Sequence, residues 1–286
     1  MPTPSGHRKL RSWARAAEDA GFGSLWVSDH IMLPAQSQSA YPFSADGRAD
    51  WSMDGDWYDP VVQLALVAAS TEQIVLGTAI LIAPIRHPYV VARQFASLDR
   101  LFPGRLVLGI GAGWLAEEFD AMGVDFRRRG ALTDDWVRAV RTAWSGSVPA
   151  GVNRSYPAKV PMHSRPVPVN DIEIVIGGTS GAALRRAATL GDGWMAHEAF
   201  ARLDLADLGR SIDELRRHAG GRHPRILLRL VGTANALDAV AEIMPDLAAL
   251  GVDELIVDPP TDLDPARLAD AAAALALPSA GSHSDV

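Results

Sequence analysis

The chain has 286 residues, a net charge of −7, 48% hydrophobic residues and no cysteine. Disulfide scaffolds, zinc fingers, iron–sulfur clusters and thiol nucleophiles are therefore excluded, and an acidic chain without a basic stretch gives no footing for nucleic acid or an anionic membrane. A chain of this size buries roughly three quarters of the surface its unfolded form exposes, no apolar run reaches the roughly 20 residues of a membrane span, and the N-terminal residues lack the apolar core of a signal peptide, which together predict a cytoplasmic protein needing no covalent staple.

In chain order, Leu10, Trp13, Ala14, Ala17 and Ala20 recur at helical spacing and Gly21 follows as a stop signal. The short apolar run Leu25-Trp26-Val27 comes next and ends in Ser28-Asp29-His30. The same order of helix, glycine, buried strand and polar strand end returns at Leu190 to His197 and at Leu250 to Asp258. Nearly continuous apolar runs at Ile74 to Ile82, Arg105 to Ile110, Ile172 to Ile176 and Ile226 to Val231 suit strands covered on both faces, as in parallel sheets. Amphipathic helices lie between them, as at Val91, Gln94, Phe95, Leu98 and Phe102 before Pro103-Gly104, or Leu237, Val240, Ala241, Met244 and Ala248 before Gly251.

Seven strands, near 24, 74, 105, 172, 193, 226 and 254, alternate with helices over one domain. That pattern favours a TIM-type (β/α)8 barrel over an open doubly wound sheet. Closure needs one more strand before the first helix, and residues 1–9, with two prolines and a glycine, supply it poorly. Either the barrel is open there or the natural start lies further upstream. The domain is expected to span 1–277, with a disordered tail over 278–286. Two long polar stretches interrupt the alternation, Pro34 to Asp59, which carries Tyr41, Phe43, Trp51, Trp57 and Tyr58, and the proline-rich Ser145 to Asp171. Both read as insertions on the C-terminal face of the barrel, the first as a substrate wall.

In such barrels working residues sit where strands end. Ser28-Asp29-His30 suits a histidine held in one tautomer for proton transfer, and equally a structural pair fixing the next loop. Leu76-Gly77-Thr78-Ala79-Ile80-Leu81, taken alone, is an ordinary buried strand. Gly109-Ile110-Gly111-Ala112-Gly113-Trp114 breaks the dinucleotide fingerprint because Trp114 stands where its third glycine belongs, so a nicotinamide site is disfavoured. Gly177-Gly178-Thr179-Ser180, before a helix starting near Gly181, suits a phosphate on the helix's positive end; the competing view is a tight turn with Thr179 or Ser180 as N-cap. The histidines show no pair at metal spacing, and no G-x-S-x-G elbow is present. Glu117 and Glu118 read as capping or solvating a helix, with one able to face the pocket.

Together these segments, with Asp59-Pro60, Arg86-His87-Pro88, Pro103-Gly104-Arg105, Arg129-Gly130 and Gly191-Asp192-Gly193-Trp194, resemble the luciferase-like flavin and deazaflavin oxidoreductases, specifically the branch that uses coenzyme F420. The resemblance covers nearly the whole chain. It implies a non-proline cis peptide at Ala79-Ile80 against one face of the ring, catalytic Asp29 and His30 beside its reactive part, Gly111, Ala112 and Gly113 approaching it, and Gly177, Gly178 and Thr179 on its phosphate. Trp57, Trp114 and His197 would then meet the substrate. Relatives that oxidise a sugar phosphate place a glutamate where Trp114 stands, so a small, less polar organic substrate is expected. The implied activity is hydride transfer with F420. The alternatives are an FMN-dependent monooxygenase and, from another class, a cofactor-free barrel acting in binding or assembly. The apolar helix faces leave room for a homodimer.

Overall fold

Each apolar run forms a strand of one parallel sheet. The computed structural model describes residues 7–44, 46–49, 51–258 and 265–275; the tail expected to be disordered lies outside them. The strands are β1 (Ser24–Val27), β2 (Val75–Thr78), β3 (Leu81–Ile82), β4 (Leu106–Gly111), β5 (Ser147–Val148), β6 (Met162–His163), β7 (Glu173–Gly177), β8 (Gly193–Ala199), β9 (Arg225–Val231) and β10 (Glu254–Val257). The helices are α1 (His7–Asp19), α2 (Pro60–Ala68), α3 (Pro88–Leu101), α4 (Ala116–Ala121), α5 (Arg129–Trp144), α6 (Gly181–Leu190), α7 (Leu205–Ala219), α8 (Leu237–Leu250) and α9 (Pro265–Leu275). The sheet runs β1-β2-β4-β7-β8-β9-β10, with β3 continuing β2 alongside β4, and every pairing in it is parallel. It is a TIM-type barrel, nearly closed.

Local sequence fixes the helix boundaries. Asp59 caps α2 by accepting from Val61 N (2.9 Å) and Val62 N (3.2 Å), with Pro60 at the first helical position, where its missing N–H costs nothing. Gly251, at φ +87°, ends α8 in the left-handed region. The stretch Ser145 to Asp171 holds only the short antiparallel pair β5–β6.

Strand phase sorts side chains into two cores, because successive residues face opposite sides of a sheet. Leu108, Ile174, Trp194, Ala196, Ile226 and Leu228 face outward into the large cluster shared with the helices. Val107, Val175, Met195, Leu227 and Ile256, one from each strand, meet inside the barrel with Trp26 and Ile80. One layer toward the strand starts, Arg225 pairs with Glu173 (2.7 Å) and with Glu254. One layer toward the strand ends lie Gly109, Gly177, His197, Arg229 and Asp258, the floor of the mouth.

The expected seam is present. β1 and β10 are the two ends of the sheet order, and side chains join them: Glu254 accepts from Ser24 Oγ and from Trp26 Nε1 (3.0 Å). Outside, α9 packs on both α8 and α1. The indole of Trp26 fills the lumen over Gly77, where an added Cβ would fall 2.2 Å from the ring.

The predicted run Ile74 to Ile82 breaks into β2 and β3. The peptide Ala79-Ile80 between them is cis. At this point the chain presses on β4, so that a Cβ at Gly109 would lie 1.9 Å from Thr78 O. Thr78 Oγ1 donates to Gly109 O at 2.6 Å.

Candidate active site at the barrel mouth

His30 follows β1 at the mouth, with its side chain only 7% exposed. Its Nδ1 lies 3.0 Å from Oε2 of Glu118, a residue of α4 that is 1% exposed. The other oxygen, Oε1, accepts the backbone N–H groups of Ile31 and Met32. A carboxylate there makes Nδ1 the donor and leaves Nε2 to the mouth. Glu117 grips the next stretch of the same loop, accepting from Ser39 Oγ (2.7 Å) and from the N–H groups of Gln38 and Ser39. Burial works against its ionisation, yet these donors outweigh it and hold the Glu117 carboxyl at about 2. Two adjacent acids on one short helix thus fasten the loop that begins at His30.

Asp29 corrects the sequence expectation. It faces away from the mouth and is 4% exposed; Oδ1 accepts from Arg86 Nη2 (2.7 Å), and Oδ2 from Arg86 Nε (3.0 Å) and Ile82 N (3.0 Å). Arg86 also reaches Asp59 Oδ2 (2.9 Å), tying the end of β1 to β3 and the start of α2. The carboxylate that orients the histidine is Glu118; Asp29 holds the wall behind it.

Aromatic rings of the Pro34 to Asp59 loop close over this pair. Trp51, Trp57 and Trp114 lie with centroids 5.4, 5.0 and 6.1 Å from the His30 ring. Tyr41 continues the layer against Trp51 (6.2 Å), Trp114 (5.2 Å) and Phe43 (5.4 Å), and Phe43 lies on His197 at 4.0 Å. Trp57 and Trp114, expected to meet the substrate, therefore pack on His30 directly, and His197 joins the same layer through Phe43 and Tyr41. Two polar atoms buried there, Trp57 Nε1 and His197 Nε2, have no hydrogen-bond partner among the described residues. Burial, reinforced by the nearby Arg229 guanidinium, pushes His197 down to about 3, so its ring is neutral.

The glycines at these strand ends make room for neighbouring side chains. Cβ atoms at Gly111 and Gly177 would fall 2.5 and 2.9 Å from the side chain of Ile80, and one at Gly113, at φ +81°, 2.7 Å from Phe119 and 2.9 Å from Ile82. Gly111 and Gly177 thus admit the side chain of Ile80, and Gly113 those of Phe119 and Ile82, with Ala112 half-buried between Gly111 and Gly113. Gly178, at φ +117°, leads into exposed Thr179 and Ser180, and Ser180 Oγ caps α6 by accepting from Ala183 N at 3.3 Å. Ser180, not Thr179, is thus the cap. Arg229 escaped the sequence reading. It is the one charge inside the apolar run Ile226 to Val231, and it shares the phase of lumen-facing Leu227; that phase was the available signal.

The profile of the family described as Luciferase-like monooxygenase matches residues 1–250. The chain belongs to the luciferase-like monooxygenase family. Within this luciferase-like family it is similar to an uncharacterized protein of Mycobacterium bovis, 36% identical over 213 residues that make up 74% of this chain and 72% of that one. It is also similar to the F420-dependent glucose-6-phosphate dehydrogenase of Nakamurella multipartita, 32% identical over 196 residues, 66% of this chain and 52% of the relative. Among solved structures, the monooxygenase RslO1 from Streptomyces bottropensis superimposes with a TM-score of 0.70 over 93% of this chain and 90% of that one, at 17% identity, a likeness of fold. The chain is an oxidoreductase of this luciferase-like class. No helix among the described residues is long and apolar enough to cross a membrane.

The mouth suits a flat redox heterocycle. Trp57 Nε1, without a hydrogen-bond partner among the described residues, is free to meet a polar ring edge, and the turn at Gly178 and Thr179 leaves the positive end of α6 exposed.

Proposed function

We propose that this luciferase-like oxidoreductase binds coenzyme F420 and transfers a hydride between it and a small organic substrate. The observation carrying this reading is His30, fixed through Nδ1 by buried Glu118 with Nε2 left to a ring-lined mouth. The relationship to a protein named as an F420-dependent dehydrogenase supports the choice of cofactor.

In this reading the backbone at Ala79 and Ile80 backs one face of the ring, the strand ends at Gly111, Ala112 and Gly113 border it, and Gly177, Gly178 and Thr179 receive the anionic tail at the N-terminus of α6. The bound deazaflavin supplies a carbon that gives or takes a hydride. His30 manages the matching proton: Nε2 accepts it from a substrate hydroxyl that is being oxidised, or returns it to a carbonyl oxygen that is being reduced. Glu118 keeps Nδ1 protonated and stabilises the positive charge on the imidazole in between. The aromatic loop keeps bulk water from the reacting carbon.

Titrating the purified chain separately with F420 and with FMN, followed by cofactor fluorescence, tests the assignment. Saturable binding of F420 at least about tenfold tighter than FMN, a difference of about 1.4 kcal/mol, is expected. Tighter FMN binding would replace it with the flavin monooxygenase reading. Binding of neither would leave the cofactor-free barrel.

A further inference from the structure

His197 on β8 and Arg229 on β9 are register partners in adjacent parallel strands. Both stand two residues beyond members of the inner cluster, Met195 and Leu227, and so face the lumen one layer nearer the mouth. Arg229 is half-buried, and its Nη1 donates to Ala79 O. That is its one hydrogen bond among the described residues, although a guanidinium carries five N–H donors. No carboxylate among the described residues forms an ion pair with it. The field of Asp258 reaches it, but the Asp258 carboxylate accepts from Gly232 N at 2.6 Å. Beside it the buried Nε2 of His197 has no hydrogen-bond partner among the described residues. A lumen-facing cation with unused donors, next to an unpartnered ring nitrogen and under the aromatic layer of Tyr41 and Phe43, is half of an ion-pair site.

We propose that Arg229 and His197 form a carboxylate-binding subsite on the inner wall of the barrel, so that the substrate is an apolar, aromatic-sized acid held by its anionic end. The guanidinium offers two parallel N–H groups to the carboxylate, and His197, in the tautomer protonated at Nε2, adds a third donor. The apolar body of the acid lies among Phe43, Tyr41 and Trp114, which directs the remaining end toward His30. Neutrality of His197 is compatible with this role, since it donates without adding a second buried charge. The subsite deepens the oxidoreductase reading and rests on it for the claim that the bound acid is the substrate.

Benzoate and its neutral isostere benzamide are the probes, titrated into the purified chain by calorimetry and followed by the fluorescence of the tryptophans at the mouth. Saturable benzoate binding is expected, at least about tenfold tighter than benzamide, with Arg229→Gln erasing the preference while the thermal transition persists. Equal affinity of the two probes, no saturable benzoate binding, or an undiminished preference in folded Arg229→Gln overturns the proposal. Should that variant fail to fold, His197→Phe together with the wild-type comparison of the two probes carries the test, and loss of at least part of the preference is expected. Repeating the titration on chain saturated with F420 or FMN separates the two possible sources of the anion. Simultaneous binding supports a substrate subsite, and mutual exclusion assigns the guanidinium to the cofactor and overturns it. Preference for benzoate in a chain that binds neither cofactor would sink the F420 assignment and leave the subsite standing; cofactor binding without benzoate binding would do the reverse.

Discussion

Two carboxylates near His30 have opposite duties, and paired substitutions separate them. Glu118 accepts from the imidazole and from two backbone N–H groups. In Glu118→Gln the amide oxygen still serves the backbone, but its NH2 group faces Nδ1 and favours the wrong tautomer. Turnover, measured with whichever cofactor binds, should fall by about 10²-fold or more, while the loss in stability stays near 1 kcal/mol. Asp29→Asn instead breaks a bidentate buried pair with Arg86 and should cost about 3 to 5 kcal/mol in urea unfolding. Equal losses of stability in the two variants would erase the distinction. His197 makes a separate prediction through linkage. Its pKa is about 3 when folded and near 6.5 when exposed, so between those values the unfolded chain takes up a proton that the folded chain refuses. Its neutral burial is therefore harmless above about pH 6.5 and destabilises progressively as the pH falls toward 3, by at most about 1.4 kcal/mol per pH unit. The stability difference between wild type and His197→Phe should shift in favour of the variant from pH 6.5 to pH 4; parallel curves would contradict the assignment.

At the scale of elements, strands and helices were legible because burial on both faces writes continuous apolar runs, as at Ile172 to Ile176, and because Gly and Pro punctuate them. The break between β2 and β3 was not legible from Thr78, Ala79 and Ile80 themselves, whose side chains suit a straight strand. Its imprint lies on the next two strands, as Gly109 and Gly111 on β4 and Gly177 on β7. Sequence reading found these glycines and gave their space to a ligand; the structure gives it to Thr78 O and Ile80. Glu118 was hard to single out for a similar reason, since its partner is 88 residues away and adjacent Glu117 has the same local signature. Glycine substitutions test this account. Gly109→Ala drives a Cβ into a backbone oxygen that has nowhere to go and should cost more than about 3 kcal/mol, or prevent folding. Gly23→Ala meets nothing within 4 Å, has no left-handed φ, and should change stability by less than about 1 kcal/mol. Similar effects from the two changes would show that the close approach of β2 to β4 is not what those glycines serve.

For the whole molecule, the barrel reading followed from alternation, and so did its weak point, because a missing strand is a counting result. What counting could not give is how the seam is held. A parallel barrel distributes backbone hydrogen bonds to both sides of every strand, whereas among the described residues β1 pairs with β2 alone and β10 with β9 alone. Glu254, on the β10 edge, takes up part of the deficit from inside, accepting from Ser24 and Trp26 on the β1 edge and from Arg225 on adjacent β9, and Arg225 passes the connection to Glu173 on β7. Trp26 keeps a second acceptor in Ser24 Oγ (2.8 Å), so removing the glutamate need not orphan the indole. In Glu254→Ala the guanidinium of Arg225 retains Glu173, so the global cost should be moderate, about 1 to 3 kcal/mol. The local effect should be larger and confined to the seam. Native-state hydrogen exchange should show amides of β1 and β10 exchanging sooner than those of β4 and β7 already in the wild type, with the gap widening in Glu254→Ala. Amides of β4 and β7 should track only the global change, because their partners on both sides are intact. Uniform acceleration across all strands would mean that the sheet opens as one cooperative unit, and that the Glu254 carboxylate closes no seam.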